Sequence, residues 1–254
     1  MTRGTELQRV RAVPRSVGAA VLGEVRWSFT RPRTWLVGVG VNLVLSLLYL
    51  ICQPLTGQPH RDWAILVGSY FAVFILADVT TTNVLGADAV RVRTSLQRGI
   101  SLGRILLIKN LALLIIVGLP TLLVTALITV NSEADYRLAL TLPGVAFPIL
   151  TWLGVGNVIS VLLPVVGAPL RYRWRARREL RPTARWLFHL GLPYALLLAV
   201  DPISDLPRLL NHQLPTATHT AAGRGLVLCL AGLVLWAVGT VVALNAARWR
   251  TIRL

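Results

Sequence analysis

Long apolar runs separated by short polar segments set the pattern of this chain. The runs cover residues 34–52, 63–84, 105–130, 140–166, 186–200 and 225–246. Most approach or exceed the length of about 20 residues that a helix needs to cross the hydrocarbon of a bilayer. They are continuous and do not alternate apolar with polar, which favours helices over barrel strands. The pattern therefore predicts an all-α, polytopic membrane protein with six transmembrane helices in a single domain, 1–254.

Residues 1–33 are polar and rich in arginine, with no early apolar core followed by a small-residue cleavage site, so no cleavable leader is expected. Within them Val17, Val21, Leu22, Val25 and Phe29 share a helical face, Arg15 and Arg26 flank it, and Pro32 ends the pattern. This predicts an amphipathic helix over 15–30 lying in the membrane interface, its basic groups toward lipid phosphates.

Composition agrees. The chain is 55% hydrophobic and only 14% charged, too little charge to cover a soluble domain of this length. Its net charge of +16 would suggest nucleic acid in a soluble protein, but here the charge follows the expected spans. The segments before the first span, after the second, after the fourth and after the sixth hold 21 basic residues. The opposite loops hold four, Arg61, Arg137, Arg208 and Arg224. By the positive-inside rule both termini are expected in the cytoplasm, with an even number of spans. Nucleic acid is not an expected partner; the lipid bilayer is. All basic residues except Lys109 are arginine, a skew that points to a high-GC bacterial source and hence to a bacterial plasma membrane.

Little in the chain suggests catalysis. There is no phosphate-binding G-x-x-x-x-G-K-[ST] loop, no G-x-S-x-G and no H-E-x-x-H. His60, His189, His212 and His219 offer no pair at helical spacing for haem or zinc. Cys52 and Cys229 both fall toward the outer side of the expected topology; packed apolar thiols are favoured over a disulfide, and the choice stays open. No catalytic residue, metal or cofactor is expected in this chain.

Attention falls instead on the polar stretch from Asp88 to Asn110. It holds Arg91, Arg93, Arg98 and Arg104 against one acid, Asp88. A helix-capable piece, Ala89 to Gln97, is followed by a turn with Gly99 and Gly103 and then by a span carrying Lys109. This is the layout of a lever: a small surface helix tied to a transmembrane one. Asp78 and Lys109 stand out as charges within expected spans, where charge is costly. Lys109 is expected to snorkel to the cytoplasmic surface, and Asp78 to pair with Lys109 or a nearby Arg.

The run Asn83-Val-Leu-Gly86-Ala-Asp88, the run Gly99-Ile-Ser-Leu-Gly-Arg-Ile-Leu-Leu-Ile-Lys109-Asn110, then Pro120, and the run Gly154-Val-Gly-Asn157-Val-Ile-Ser160-Val-Leu-Leu-Pro164 together resemble the ABC-2 type permeases. These are the membrane subunits of ATP-binding-cassette exporters. Where many members have a Glu at the start of the coupling helix and a Pro in the turn after it, this chain has Asp88 and Gly99. The resemblance implies a coupling helix within 88–103, with Asp88, Val90, Arg91, Val92, Arg93, Leu96, Arg98, Ile100 and Arg104 at the contact with a separate ATPase. It implies two copies of that ATPase, which bind ATP and Mg, and a second permease copy or a paralogue completing the path. Asp78, Asn83, Lys109, Asn157 and Pro164 are candidate structural or pathway residues. A drug, antibiotic or lipid-like amphiphile would suit so weakly charged a path. The rivals are an ion-coupled secondary transporter, a lipid-directed membrane enzyme and a non-transporting scaffold. The first calls for midplane charges and inverted repeats and the second for a polar catalytic cluster.

Overall fold

The computed structural model describes residues 16–29, 83–86, 88–132, 137–164, 183–184, 188 and 220–249. Among them the fold is entirely helical, with no strand. In chain order the elements are α1 (Val17–Ser28), α2 (Ala89–Gln97), α3 (Leu102–Leu113), a π-helical turn (Leu114–Gly118), α4 (Leu119–Ser132), α5 (Leu138–Leu162) and α6 (Ala221–Trp249). The α3–π–α4 unit, α5 and α6 are long and apolar enough to cross a membrane, which marks the chain as a membrane protein.

These three helices answer to the expected third, fourth and sixth spans, with shifted ends. α5 stops at Leu162, so Pro164 follows the helix instead of lying in it. Asn83 and Val84, expected at the end of the second span, stand in a turn. The rest of that span, the first span, the fifth apart from position 188, Asp78 and Cys52 lie outside the described residues.

Pro120 can neither donate a backbone hydrogen bond nor fit its ring against the preceding turn of a regular helix. The chain widens just before it into the π-helical turn, where the Leu119 amide bonds the Leu114 carbonyl. The span thus passes its proline without breaking.

Among the described residues α5 and α6 form the most extensive helix pair, and glycine allows it. A Cβ on Gly154 would lie 2.6 Å from the Leu235 carbonyl oxygen and 2.8 Å from Trp236 Cα. One on Gly239 would lie 2.5 Å from the Gly154 carbonyl oxygen, and one on Gly225 would strike the Ala139 carbonyl. Gly225, Gly232 and Gly239 recur every seven residues on α6, so one stripe of the helix approaches the α5 backbone directly. Between hydrocarbon-solvated helices such close packing supplies the attraction that water supplies elsewhere. A hydrogen bond from Asn157 Nδ2 to Thr240 Oγ1, 2.9 Å, crosses the same interface.

The turn at 83–86 is buried against this pair: the Val84 amide donates to Ser160 Oγ of α5 at 2.9 Å, and Leu85 is fully buried. Leu85, Val92 of α2, Ile105 and Leu106 of α3, Val161 of α5 and Ala243 of α6 form one apolar cluster. It seats the short helix on the ends of three spanning helices.

Candidate functional site: a charge clamp at the helix ends

The junction between α2 and α3 is capped on both sides. Gly99 adopts φ 76°, a left-handed conformation that other residues adopt only at a cost. This lets its amide bond the Leu96 carbonyl at 3.0 Å while the Ile100 amide bonds the Ser95 carbonyl at 3.1 Å, the hydrogen-bond pair of a glycine helix stop. Ile100 and Leu96 pack against the same apolar cluster. Ser101 follows directly as the N-cap of α3, its Oγ accepting from the Arg104 amide at 3.4 Å. The glycine therefore fixes the angle between the two helices and does not act as a loose hinge.

α1 supplies the other half of the site. Ser16 caps it, accepting from the Ala19 amide at 3.2 Å. Its buried stripe is Ala20, Val21, Glu24 and Ser28, and Ala20, Val21 and Val25 pack on Ile108, Leu111 and Ala112 of α3. Of the expected apolar face, Val21 and Val25 pack on α3 while Val17, Leu22 and Phe29 are exposed, and Glu24 faces inward beside them.

Glu24 meets Lys109, and the two lie 85 residues apart in sequence. Lys109 Nζ donates to Glu24 Oε1 at 2.7 Å and to Asp88 Oδ2 at 3.3 Å. The Arg91 guanidinium pairs with Glu24 Oε2 at 2.5 Å and stands 3.6 Å from Asp88 Oδ2. Trp27, one turn from Glu24, places its ring 5.2 Å from the Arg91 guanidinium carbon and 5.5 Å from Lys109 Nζ, within cation–π range of both. Two carboxylates and two cations thus form a neutral cluster joining α1, α2 and α3. Glu24, Asp88 and Lys109 each expose less than a tenth of their side chains, and Arg91 exposes 20%.

The depth explains why the charges must meet. The α3–π–α4 unit spans 30 residues, or about 45 Å at the helical rise, against hydrocarbon about 30 Å thick. Lys109 lies about 10 Å along it, near the hydrocarbon boundary. It does not snorkel as expected. Two carboxylates come to it: among the described residues its partners are Glu24 and Asp88.

Burial pushes both carboxyl groups upward. At Glu24 the charges of Lys109 and Arg91 and their hydrogen bonds outweigh burial and hold the group below its ordinary value. At Asp88 burial prevails over the same two cations, with Glu24 adding to the rise, and the group sits above its ordinary value.

A cavity of about 20 Å³ adjoins the cluster, lined by Glu24, Asp88, Arg91, Lys109 and Ser95 with the apolar Val92, Ile105 and Ile108. That volume holds a single water. Among the described residues, no group of three or more His, Cys, Asp or Glu could hold a metal ion.

Of the residues expected at an ATPase contact, Asp88 and Val92 are buried, Arg91, Leu96, Ile100 and Arg104 are partly buried, and Val90, Arg93 and Arg98 are exposed. Val92, Leu96 and Ile100 serve the protein's own core. Asn83 and Asn157 are fully buried, and Pro164 is half-buried. Sequence reasoning missed Glu24 and Trp27. The signal that could have found them was the spacing of Ala20, Glu24 and Ser28, which sets the one acid of α1 on a stripe of small residues. No known family model, curated protein or solved structure matches this chain.

Proposed function

We propose that the chain is the membrane-spanning permease subunit of an ATP-binding-cassette exporter of the ABC-2 type. The observation carrying this reading is the rigid union of α2 with the membrane helices. A capped glycine turn fixes its angle to α3, an apolar cluster seats it on α3, α5 and α6, and the charge clamp ties it to α1. A force applied to the exposed face of α2 would reach the spanning helices with little loss, which suits a part that converts a partner's motion into helix movement.

In this reading the engine is a separate ATPase, present in two copies and binding ATP and Mg, and the chain itself breaks no covalent bond. A second permease copy or a paralogue completes the path. Six spans, cytoplasmic termini and a bacterial plasma membrane follow from the arginine distribution. The cargo is a drug, antibiotic or lipid-like amphiphile.

An ion-coupled carrier is the second reading, favoured by the presence of a buried charge cluster at all. Such a carrier needs charges near the midplane, and this cluster lies near one boundary.

The exposed face of α2 supplies the test. Leu96 is a poor probe because it packs against the protein's own core. Val90 is 58% exposed, so Val90→Glu should leave the fold intact. If that face docks into an ATPase, an unpaired buried charge opposes docking. Co-purification with the ATPase is expected to fall at least about tenfold, equivalent to about 1.4 kcal/mol. Arg93→Ala should cost only about 0–1 kcal/mol, as rim ion pairs do. Unchanged complex yield and unchanged ATP hydrolysis with Val90→Glu would remove the coupling role and leave the carrier or scaffold.

A further inference from the structure

We propose that Asn110 of α3 with Asn157 and Trp152 of α5 form a binding site, closed in this structure, for the uncharged hydroxyl or amide head of an amphiphile. Two apolar clusters succeed one another along the bundle. The one that seats α2 includes Leu106, Val161 and Ala243. The next includes Leu113 and Leu153, with Trp236 packed against it. On each helix a polar residue stands between its members of the two clusters. Asn110 lies between Leu106 and Leu113, Asn157 between Leu153 and Val161, and Thr240 between Trp236 and Ala243. Steps of three or four residues keep each on the face that its neighbours bury. The three therefore share one level of the bundle. Asn110 is about 12 Å along α3, just inside the hydrocarbon boundary.

This level is short of hydrogen bonds. Asn110, Asn157 and Trp152 are 1%, 0% and 1% exposed. Both carboxamide atoms of Asn110 lack a hydrogen-bond partner, and so do Asn157 Oδ1 and the buried indole N–H groups of Trp152 and Trp236. Asn157 spends only its Nδ2, on Thr240. Unmet polar groups are costly in hydrocarbon, where no bulk water replaces the missing partner. The unmet set holds donors and acceptors and no charge, so it complements a group that both donates and accepts. A charged head would go uncompensated: the two clusters are apolar, and Lys109 is engaged by Glu24 and Asp88. Apolar walls around a few polar groups are the usual make-up of a small-molecule site.

The helices also show how it opens. Backbone approach locks α5 to α6, whereas α3 meets the two clusters through side chains. The π-helical turn begins one turn beyond Asn110, with the Leu114 amide shared between the Asn110 and Leu111 carbonyls. Such a turn is a place where a helix bends. Tilting α3 about it uncovers Asn110, Asn157 and Trp152 together and leaves α5–α6 intact, and a ligand that binds the tilted form populates it. The proposed permease function is needed only for calling the ligand cargo; the binding requires no ATPase.

The test uses the full chain in lipid nanodiscs and two photoreactive probes of equal chain length. One is a diazirine-bearing monoacylglycerol, whose head carries hydroxyls; the other is a diazirine-bearing alkyltrimethylammonium, permanently charged. After irradiation, peptide mapping by mass spectrometry is expected to find monoacylglycerol adducts within 106–113 and 153–161, suppressed by excess unlabelled monoacylglycerol. The charged probe should leave these stretches unmodified. Labelling at the exposed Leu230 and Val234 of α6 reports ordinary lipid contact and should not saturate. In Asn110→Leu, which branches at the same carbon without the amide, adducts at the site should fall at least about fivefold, as a lost hydrogen bond implies. Its Tm without probe should equal or exceed that of wild type, because an unmet buried group is gone. Trp152→Phe removes the indole N–H and keeps an aromatic ring, and it should lower the yield as well. The site is overturned if both variants label like wild type, or if adducts at 106–113 and 153–161 are absent or do not saturate. Equal labelling by the charged probe overturns it too. A Tm loss in Asn110→Leu together with wild-type labelling in Trp152→Phe would make the asparagine structural and overturn the site. Each outcome stands apart from the ATPase co-purification of Val90→Glu, so site and permease function can fail separately.

Discussion

Replacing Lys109 with methionine is expected to detach the N-terminal helix. Methionine keeps most of the side-chain length and removes the charge, leaving Glu24 and Asp88 facing each other with only Arg91 between them. Removing one partner from a buried ion pair typically costs about 3–5 kcal/mol, because the remaining charge is left uncompensated. Besides this cluster, α1 packs on α3 through small contacts of Ala20, Val21 and Val25 with Ile108, Leu111 and Ala112, so much of the cost is expected to fall on α1. Limited proteolysis should therefore cut within 16–29 in Lys109→Met and not in wild type, with a lowered Tm in detergent. Lys109→Arg should recover most of the loss. Exchanging the charges in Glu24→Lys with Lys109→Glu should restore part of what either change loses alone. Equal protease resistance in Lys109→Met and wild type would show that the clamp does not hold α1.

The pH dependence of the clamp follows from the directions of the two shifts. Glu24 titrates lower in the folded than in the unfolded chain, so its contribution is complete above the ordinary glutamate range and lost only as pH falls through the lowered folded value. Asp88 titrates higher when folded, so its contribution is complete below the ordinary aspartate range and lost as pH rises through the raised value. Mild acidification is therefore expected to leave α1 protected from protease. Its release should require acid below the ordinary glutamate range.

The second large effect is expected at the α5–α6 interface. Gly239→Leu and Gly154→Leu each drive a side chain into facing backbone, which cannot move aside as a flexible side chain can. Overpacking a tight core typically costs about 1–3 kcal/mol, and separating the helix axes would also stretch the Asn157–Thr240 hydrogen bond. Both variants should lose thermal stability sharply, and even alanine should be felt at either site. Gly23 is the internal control. It lies within α1, and a Cβ added there would meet no atom within 4 Å, so Gly23→Ala should stabilise by about 0.5–1 kcal/mol through helix propensity alone. Similar Tm losses at Gly23 and Gly239 would show that close backbone approach is not what makes the α6 glycines matter.

Among the described residues, the sequence alone determined that the fold is helical and suited to a membrane, and roughly where three apolar helices and the short helix α2 fall. Hydropathy and helical propensity are local, so runs of apolar residues and the Ala89–Gln97 segment declare themselves without knowledge of any partner. The ends were less legible. The third expected span begins at Ile105 and α3 begins at Leu102, because the Ser101 cap acts through a hydrogen bond that hydropathy does not register. Nor does hydropathy show that Pro120 is passed by a π-helical turn. Only the tertiary structure decided which face of α1 is buried, since Glu24 can turn inward only where Lys109 and Arg91 await it. Lys109 by itself was equally consistent with reaching the surface or with pairing to Asp78. Its choice of Glu24 and Asp88 required segments up to 85 residues apart to arrive at one place. The glycines of α6 were likewise unreadable, because a seven-residue spacing acquires meaning only when another backbone lies against it. Charges and close contacts are properties of pairs, and the pairs exist only once the helices are assembled.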